Sequence, residues 1–157
     1  MATLAVPRAS VSLYDGLAGL PLFNPDLDGE VAPPAVATLR AQVAAADGIL
    51  FSTPEYAHGL PGALKNGLDW LVSGIEIVDK PVAIINPRPT AIWAAASLRE
   101  TLTVMSARLI EEASISLSLE TNRMDEKSLL ADARFAALLR SATDRFIAAI
   151  HQLKRTD

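Results

Sequence analysis

Residues 48–72 read GILFSTPEYAHGLPGALKNGLDWLV. Ile49, Leu50 and Phe51 are apolar at consecutive positions, and Ser52, Thr53 and Pro54 close the run. A short apolar run bounded by turn formers is how a strand covered on both faces reads. From Pro61 to about residue 72, Leu64, Leu68 and Leu71 recur on one side of a helix. A buried strand passing through a Pro- and Gly-rich loop into an amphipathic helix is half of a βαβ unit.

The rest of the chain repeats that unit. KPVAIINP (80–87) is a second buried-type strand, and residues 92–109 form an alanine-rich helix with Leu98, Leu102 and Met105 inward. Upstream, ASVSLYDG (9–16) alternates Val11 and Leu13 with Ser10 and Ser12 before Asp15-Gly16, the pattern of a strand and turn. A Pro-, Gly- and Asp-rich loop follows. Val36, Leu39, Val43 and Ala46 then mark a helix that Gly48 stops. Downstream, EASISLSLE (112–120) alternates as an outer strand, and residues 129–154 carry the stripe of one long amphipathic helix. Strands alternating with helices predict a three-layer α/β/α fold: a doubly wound parallel sheet with right-handed crossovers, in a single domain spanning 1–157.

Composition narrows the function. The 157 residues are half hydrophobic and only 20% charged, which excludes a disordered chain. A formal net charge of −4 argues against nucleic acid or an anionic membrane as partner. There is no Cys, and the two His are far apart, so disulfides, iron–sulfur clusters and Cys-ligated zinc are excluded and no metal site is expected. MATLAVPRASVSLYDG lacks the basic start and apolar core of a signal peptide, and a cytoplasmic location is expected.

In an open parallel sheet, ligands sit outside the carboxyl ends of the strands. The loops there are TPEYAHGLPG after the strand ending near Thr53 and NPRPTAIW after the strand ending near Ile85. The first suits a flat aromatic ligand. Tyr56 offers a ring for stacking, Pro54 stiffens the chain, and Gly59 and Gly62 permit close backbone approach. The alternative is ordinary turn chemistry, with Tyr56 capping the core. His58 and Glu55 invite reading as an acid–base pair for a hydrolase, but Ser52 and Thr53 sit in no nucleophile elbow. His58 then belongs to the cleft rim or a subunit contact. Lys65 and Asp69 form an i,i+4 pair, and Trp70 lies just off the leucine line. It projects toward another subunit or packs in its own core.

PEYAHGLPGALKNGLDWL resembles the Pro-Glu-Tyr-Asn…Pro-Gly-x-Leu-Lys-Asn-x-x-Asp-Trp-Leu signature of the NAD(P)H-dependent FMN reductases. These flavodoxin-like proteins include quinone, chromate and azo-dye reductases. LYDGLAGLPLFNPDLD is similar to the family's exit from its second strand, so the likeness covers most of the chain. The resemblance implies FMN and NAD(P)H as cofactors, with electrons passed to flavin, quinone or a similar small acceptor. It implies that Pro54, Glu55 and Tyr56, with Ala57 and His58, line the flavin ring, largely through backbone amides. Asn86 to Thr90 would close the other side. The helix carrying Lys65, Asn66, Asp69 and Trp70 would make a homodimer or homotetramer. No side-chain acid or base is implied, because the cofactor carries the chemistry.

Two departures stand out. The family's Asn after Tyr is Ala57 here, and no Gly-Ser-x-Arg-x-x-Ser-x-Asn phosphate loop occurs. MATLAV resembles the tail of the helix that follows that loop, so the first strand and phosphate loop are expected to be missing. In the order 2-1-3-4-5 that strand is internal. Losing even two of the loop's charge-assisted hydrogen bonds would weaken FMN binding by about two to four orders of magnitude. The competing expectation is therefore a flavin-poor family member serving as an oligomeric scaffold or binding module.

Overall fold

The structure is a computed structural model and describes residues 9–29, 31–119 and 124–155. Its centre is β2 (Pro81–Asn86), flanked by β1 (Ile49–Ser52) on one side and by β3 (Arg108–Leu109) and β4 (Ile115–Ser116) on the other. Every pairing is parallel, with Ile49 opposite Val82 and Ile85 opposite Ile115. The expected outer strand is therefore present in shorter form. A 3₁₀ turn at Glu111–Ala113 separates β3 from β4, and both pair with the same edge of β2.

Side chains of β2 alternate between two cores, as its pleat requires. Val82 and Ile84 join Val36, Leu39 and Val43 of α1 (Pro34–Ala45) and Leu98 and Leu102 of α3 (Ile92–Val104). Ala83 faces Phe146 of α5 (Ala133–Leu153), and Ile85 packs near Phe135 and Leu139 of the same helix. Helices thus cover both faces, the three-layer arrangement that the alternation predicts. The Lys80 ammonium donates to the carbonyls of Ala44 at 3.3 Å and Ala46 at 2.7 Å, placing a cation at the C-terminus of α1.

Three expectations are corrected. Residues 9–15 form no strand, and Leu13 is 78% exposed. Among the described residues β1 pairs only with β2 and its outer edge takes no strand from residues 9–15, so alternation alone does not make a strand. The long C-terminal helix is two helices, α4 (Glu126–Ala131) and α5. Asp132 adopts an extended conformation between them and caps α5, its carboxylate accepting from the Arg134 amide. The likeness of MATLAV to a helix tail falls on residues outside the described ones.

The third correction concerns Trp70, which is fully buried in its own domain and cannot project toward another subunit. It follows α2 (Gly62–Asp69), packs edge-on against Phe23 at 5.0 Å, and donates its indole N–H to Pro21 O at 2.8 Å. Asn66 works beside it. Its Nδ2 donates to Pro21 O and its Oδ1 accepts from the Phe23 amide. A Cβ on Gly67 would meet Leu17 Cδ2 at 2.8 Å, so glycine lets the preceding loop lie close on α2.

That loop is held at its other end by Asp28. Its carboxylate accepts from Ser73 Oγ at 2.5 Å and from Arg40 Nη2 at 2.7 Å, and Arg40 also donates to Trp70 O and to Ser73 Oγ. The Ser73 hydroxyl, with the Arg40 guanidinium, holds the Asp28 carboxyl below the usual carboxylate range against the opposing cost of burial. A depressed folded pKa stabilises the fold fully above the unfolded value of about 3.9 and loses that stabilisation as pH falls through the folded value. Asp28→Asn should therefore cost about 1–3 kcal/mol in urea unfolding at pH 7. Its deficit relative to the parent should shrink steadily as the titration is repeated in acid.

Candidate flavin cleft

The cleft opens at the carboxyl ends of β1 and β2, where the loops leave the sheet. Thr53, Pro54, Glu55 and Tyr56 make one wall, and Pro87, Arg88, Thr90 and Ala91 make the other. Leu119 and Met124 also line it, and the cavity measures about 370 Å³. That is within the roughly 300–1,000 Å³ typical of small-molecule sites.

The second wall is shaped by Asn86 at the end of β2. This buried side chain donates to Ala91 O at 3.3 Å and accepts from the Arg88 amide at 3.1 Å, closing the loop on itself. Ala91 N donates to Arg88 O at 2.9 Å, completing the turn that presents Arg88 and Thr90. Asn86 thus builds the wall from below and does not line the cleft, whereas Thr90 does.

The first wall is tied to the start of α3. The Glu55 carboxylate accepts from the Ala94 amide at 2.8 Å, supplying the cap that α3 lacks from its own N-terminal residue. A carboxylate at a helix N-terminus is favoured by both the hydrogen bond and the dipole. Beyond it the chain reverses tightly. Tyr56 N donates to Gly59 O at 3.1 Å, and Gly59 N donates to Tyr56 O at 2.9 Å. The central residues Ala57 and His58 have φ of 49° and 59°. This is the conformation that hairpin turns usually fill with Asn and Gly, and it costs a side-chain-bearing residue about 1–2 kcal/mol. The His58 ring lies against Trp93 with centroids 5.6 Å apart. Ala57 and His58 stand at the tip of the turn, outside the residues that line the cavity, while Tyr56 is 65% exposed at its mouth.

The acid–base pair that Glu55 and His58 invited, and that the lack of a nucleophile set aside, has other engagements in the structure. Glu55 caps a helix and His58 packs on an indole. Leu119 and Met124 were not foreseen as lining residues. The rule that pointed to the first two loops applies equally to the segment after β4, and would have found Leu119. Trp93 ends the NPRPTAIW loop singled out in the sequence, but its contact with His58 carried no local signal because the two are far apart in sequence.

A parallel sheet covered by helices on both faces, with its cleft at the carboxyl edge, defines a flavodoxin-like α/β protein. The chain belongs to the NADPH-dependent FMN reductase family, whose sequence profile matches residues 2–122. An NAD(P)H-dependent FMN reductase of Pseudomonas aeruginosa is 33% identical over 141 residues, covering 87% of this chain and 76% of that protein. A 2-hydroxy-1,4-benzoquinone reductase of a Burkholderia species is 30% identical over 154 residues, covering 94% and 83%. In structure, the flavoenzyme NAD(P)H:(acceptor) oxidoreductase FerB of Paracoccus denitrificans aligns with a TM-score of 0.75 at 26% identity, covering 87% of this chain and 78% of that one.

The family carries FMN and NAD(P)H, and the residues present fit the ring of FMN. The cleft is slot-shaped between two loop walls, with Tyr56 and Pro54 for an aromatic face and Leu119 and Met124 for an apolar edge. The amides of Glu55 and Thr90 donate to no group among the described residues, which leaves them for water or the polar edge of a heterocycle. Removing the cap tests the wall itself. Glu55→Ala should destabilise the fold by about 1 kcal/mol, and Glu55→Gln, which keeps an acceptor, should recover most of it in thermal unfolding.

Proposed function

We propose that this chain is an NAD(P)H-dependent oxidoreductase that uses FMN to pass electrons from the nicotinamide to quinone-type or flavin acceptors. The observation that carries the reading is the pairing of two loop walls at the carboxyl edge of the sheet, Pro54–Tyr56 opposite Pro87–Thr90, in a chain of the FMN reductase family. When bound, FMN supplies two-electron chemistry, accepting hydride equivalents and releasing them to a second substrate.

The protein's part is to hold and orient. Pro54 and the Glu55 peptide would meet the polar edge of the ring, Tyr56 would cover its exposed side, and the Thr90 amide would approach from the opposite wall. Asn86 keeps that opposite wall rigid. Leu119 and Met124 would add apolar surface against the ring. Neither Glu55, which caps α3, nor His58, which lies outside the lining against Trp93, is asked to move a proton in this reading. The reading includes a cytoplasmic location, where NAD(P)H is supplied. No helix among the described residues is long and apolar enough to cross a membrane.

Titration of the purified chain with FMN, followed by flavin fluorescence, should saturate with micromolar affinity or better, and anaerobic NADPH should then bleach the flavin band. A quinone added afterwards should restore it. A flat titration would sink the enzyme reading for this chain and leave the binding-module alternative.

The reading also includes a homo-oligomer. With Trp70 in the core, the surface that supports self-association lies beside Lys65 and Asp69, where Val72, Val78 and Val104 line a groove and Ile75 is 84% exposed nearby. Val104→Glu combined with Ile75→Glu should shift the mass measured by light scattering toward the monomer without lowering the melting temperature by more than a few degrees. An unchanged mass would move the interface elsewhere.

A further inference from the structure

The turn that ends the first cleft wall is held open to strain and closed by contact. Ala57 and His58 both occupy the left-handed region, with neither Gly nor Asn to ease it. Two reciprocal backbone bonds between Tyr56 and Gly59 close the turn but do not attach it to anything. Attachment comes from α3 at consecutive residues. Ala94 donates its amide to Glu55, and Trp93 lays its indole against His58 at 33° to the imidazole plane. Trp93 is 54% exposed and belongs to no buried cluster. A large indole kept half in water on the first turn of a helix contributes little to the core. Its one ring contact is to the strained residue.

We propose that Trp93 is a positioning residue: its indole, stacked on His58, holds the Ala57–His58 turn in its left-handed conformation and so fixes Tyr56 and the Glu55 peptide at the wall of the cleft. The link to the flavin rests on the function proposed above; the link to the turn does not. Glu55 and Trp93 divide the work. The carboxylate pins the loop where it leaves β1, and the indole pins it at its tip, so the segment between them has no free end. A ring pair at this separation shifts an equilibrium by between about two- and tenfold, enough to decide whether a strained turn stays populated. Ala57 tolerates the left-handed region less well than Gly or Asn would, and a ring contact two residues into α3 offsets that loss.

The test is amide hydrogen exchange of the flavin-free protein, paired with FMN affinity by titration. Trp93→Ala should speed exchange of the Gly59 amide about fivefold and weaken FMN binding by a similar factor, while Trp93→Phe stays within about twofold of the parent on both. His58→Ala removes the other ring and should reproduce the exchange change. Introduced into an Ala57→Asn background, where the left-handed conformation is easier, Trp93→Ala should have at most half its effect. Unchanged exchange in Trp93→Ala would overturn the proposal, and so would an equal effect in the Ala57→Asn background. If the exchange pattern follows expectation but the parent binds no FMN, the latch stands and only the flavin reading falls.

Discussion

The cleft depends on one hydrogen bond, the 2.8 Å contact from the Ala94 amide to the Glu55 carboxylate. Its two walls leave the sheet from neighbouring strands, β1 and β2, and diverge at once. Nothing in parallel strand pairing prevents the first loop from swinging away from the second. The carboxylate couples them by satisfying one of the orphan donors at the start of α3, so the bond serves the helix and the cleft together. Such a double role explains why a Glu in the middle of an apparent ligand loop need not be a catalytic group.

The same economy runs through KNGLDW (65–70). Asn66 and Trp70 converge on the carbonyl of Pro21, and Arg40 reaches the carbonyl of Trp70 itself. Polar side chains whose spacing suggests an exposed helix face are spent instead on fastening a Pro-rich loop to the domain. Only the Lys65–Asp69 pair remains on the surface. Periodicity could not separate these outcomes, since Trp70 lies beside the leucine stripe in either case. The deciding contacts are to residues more than forty positions away.

What was legible in the sequence is what local chemistry dictates. The apolar runs at 49–52 and 81–86 became strands because both faces had helices to cover them, and the leucine stripes of α2 and α3 followed. Pro54, Glu55, Tyr56 and Thr90 were found because the carboxyl edge of a parallel sheet is where loops gather. What escaped depends on partners. Alternation at 9–15 states which face would be buried and is silent on whether a neighbouring edge exists. Asp132 inside an apolar stripe looked like one polar residue on an exposed face, whereas its carboxylate was competing for the helix backbone. The left-handed turn at Ala57–His58 has no compositional mark of its own.

These features together constrain the chemistry. A site that performs acid–base catalysis needs a side chain left free to exchange a proton with substrate, within reach and suitably poised. Here Glu55 accepts from a helix terminus, Asn86 braces its own loop and Thr53 donates to the carbonyl of Pro54 at 3.2 Å, while His58, whose ring lies against Trp93, stands outside the lining. Several polar groups around the cleft thus help to give it shape, while Tyr56, Arg88 and Thr90 line it. The lining combines the Tyr56 ring, the Arg88 and Thr90 side chains and the apolar Pro54, Leu119 and Met124, a mixture suited to gripping a planar heterocycle with a polar edge. A first wall tied to α3 by the Glu55–Ala94 bond and a second closed on itself by Asn86 hold those groups in fixed positions.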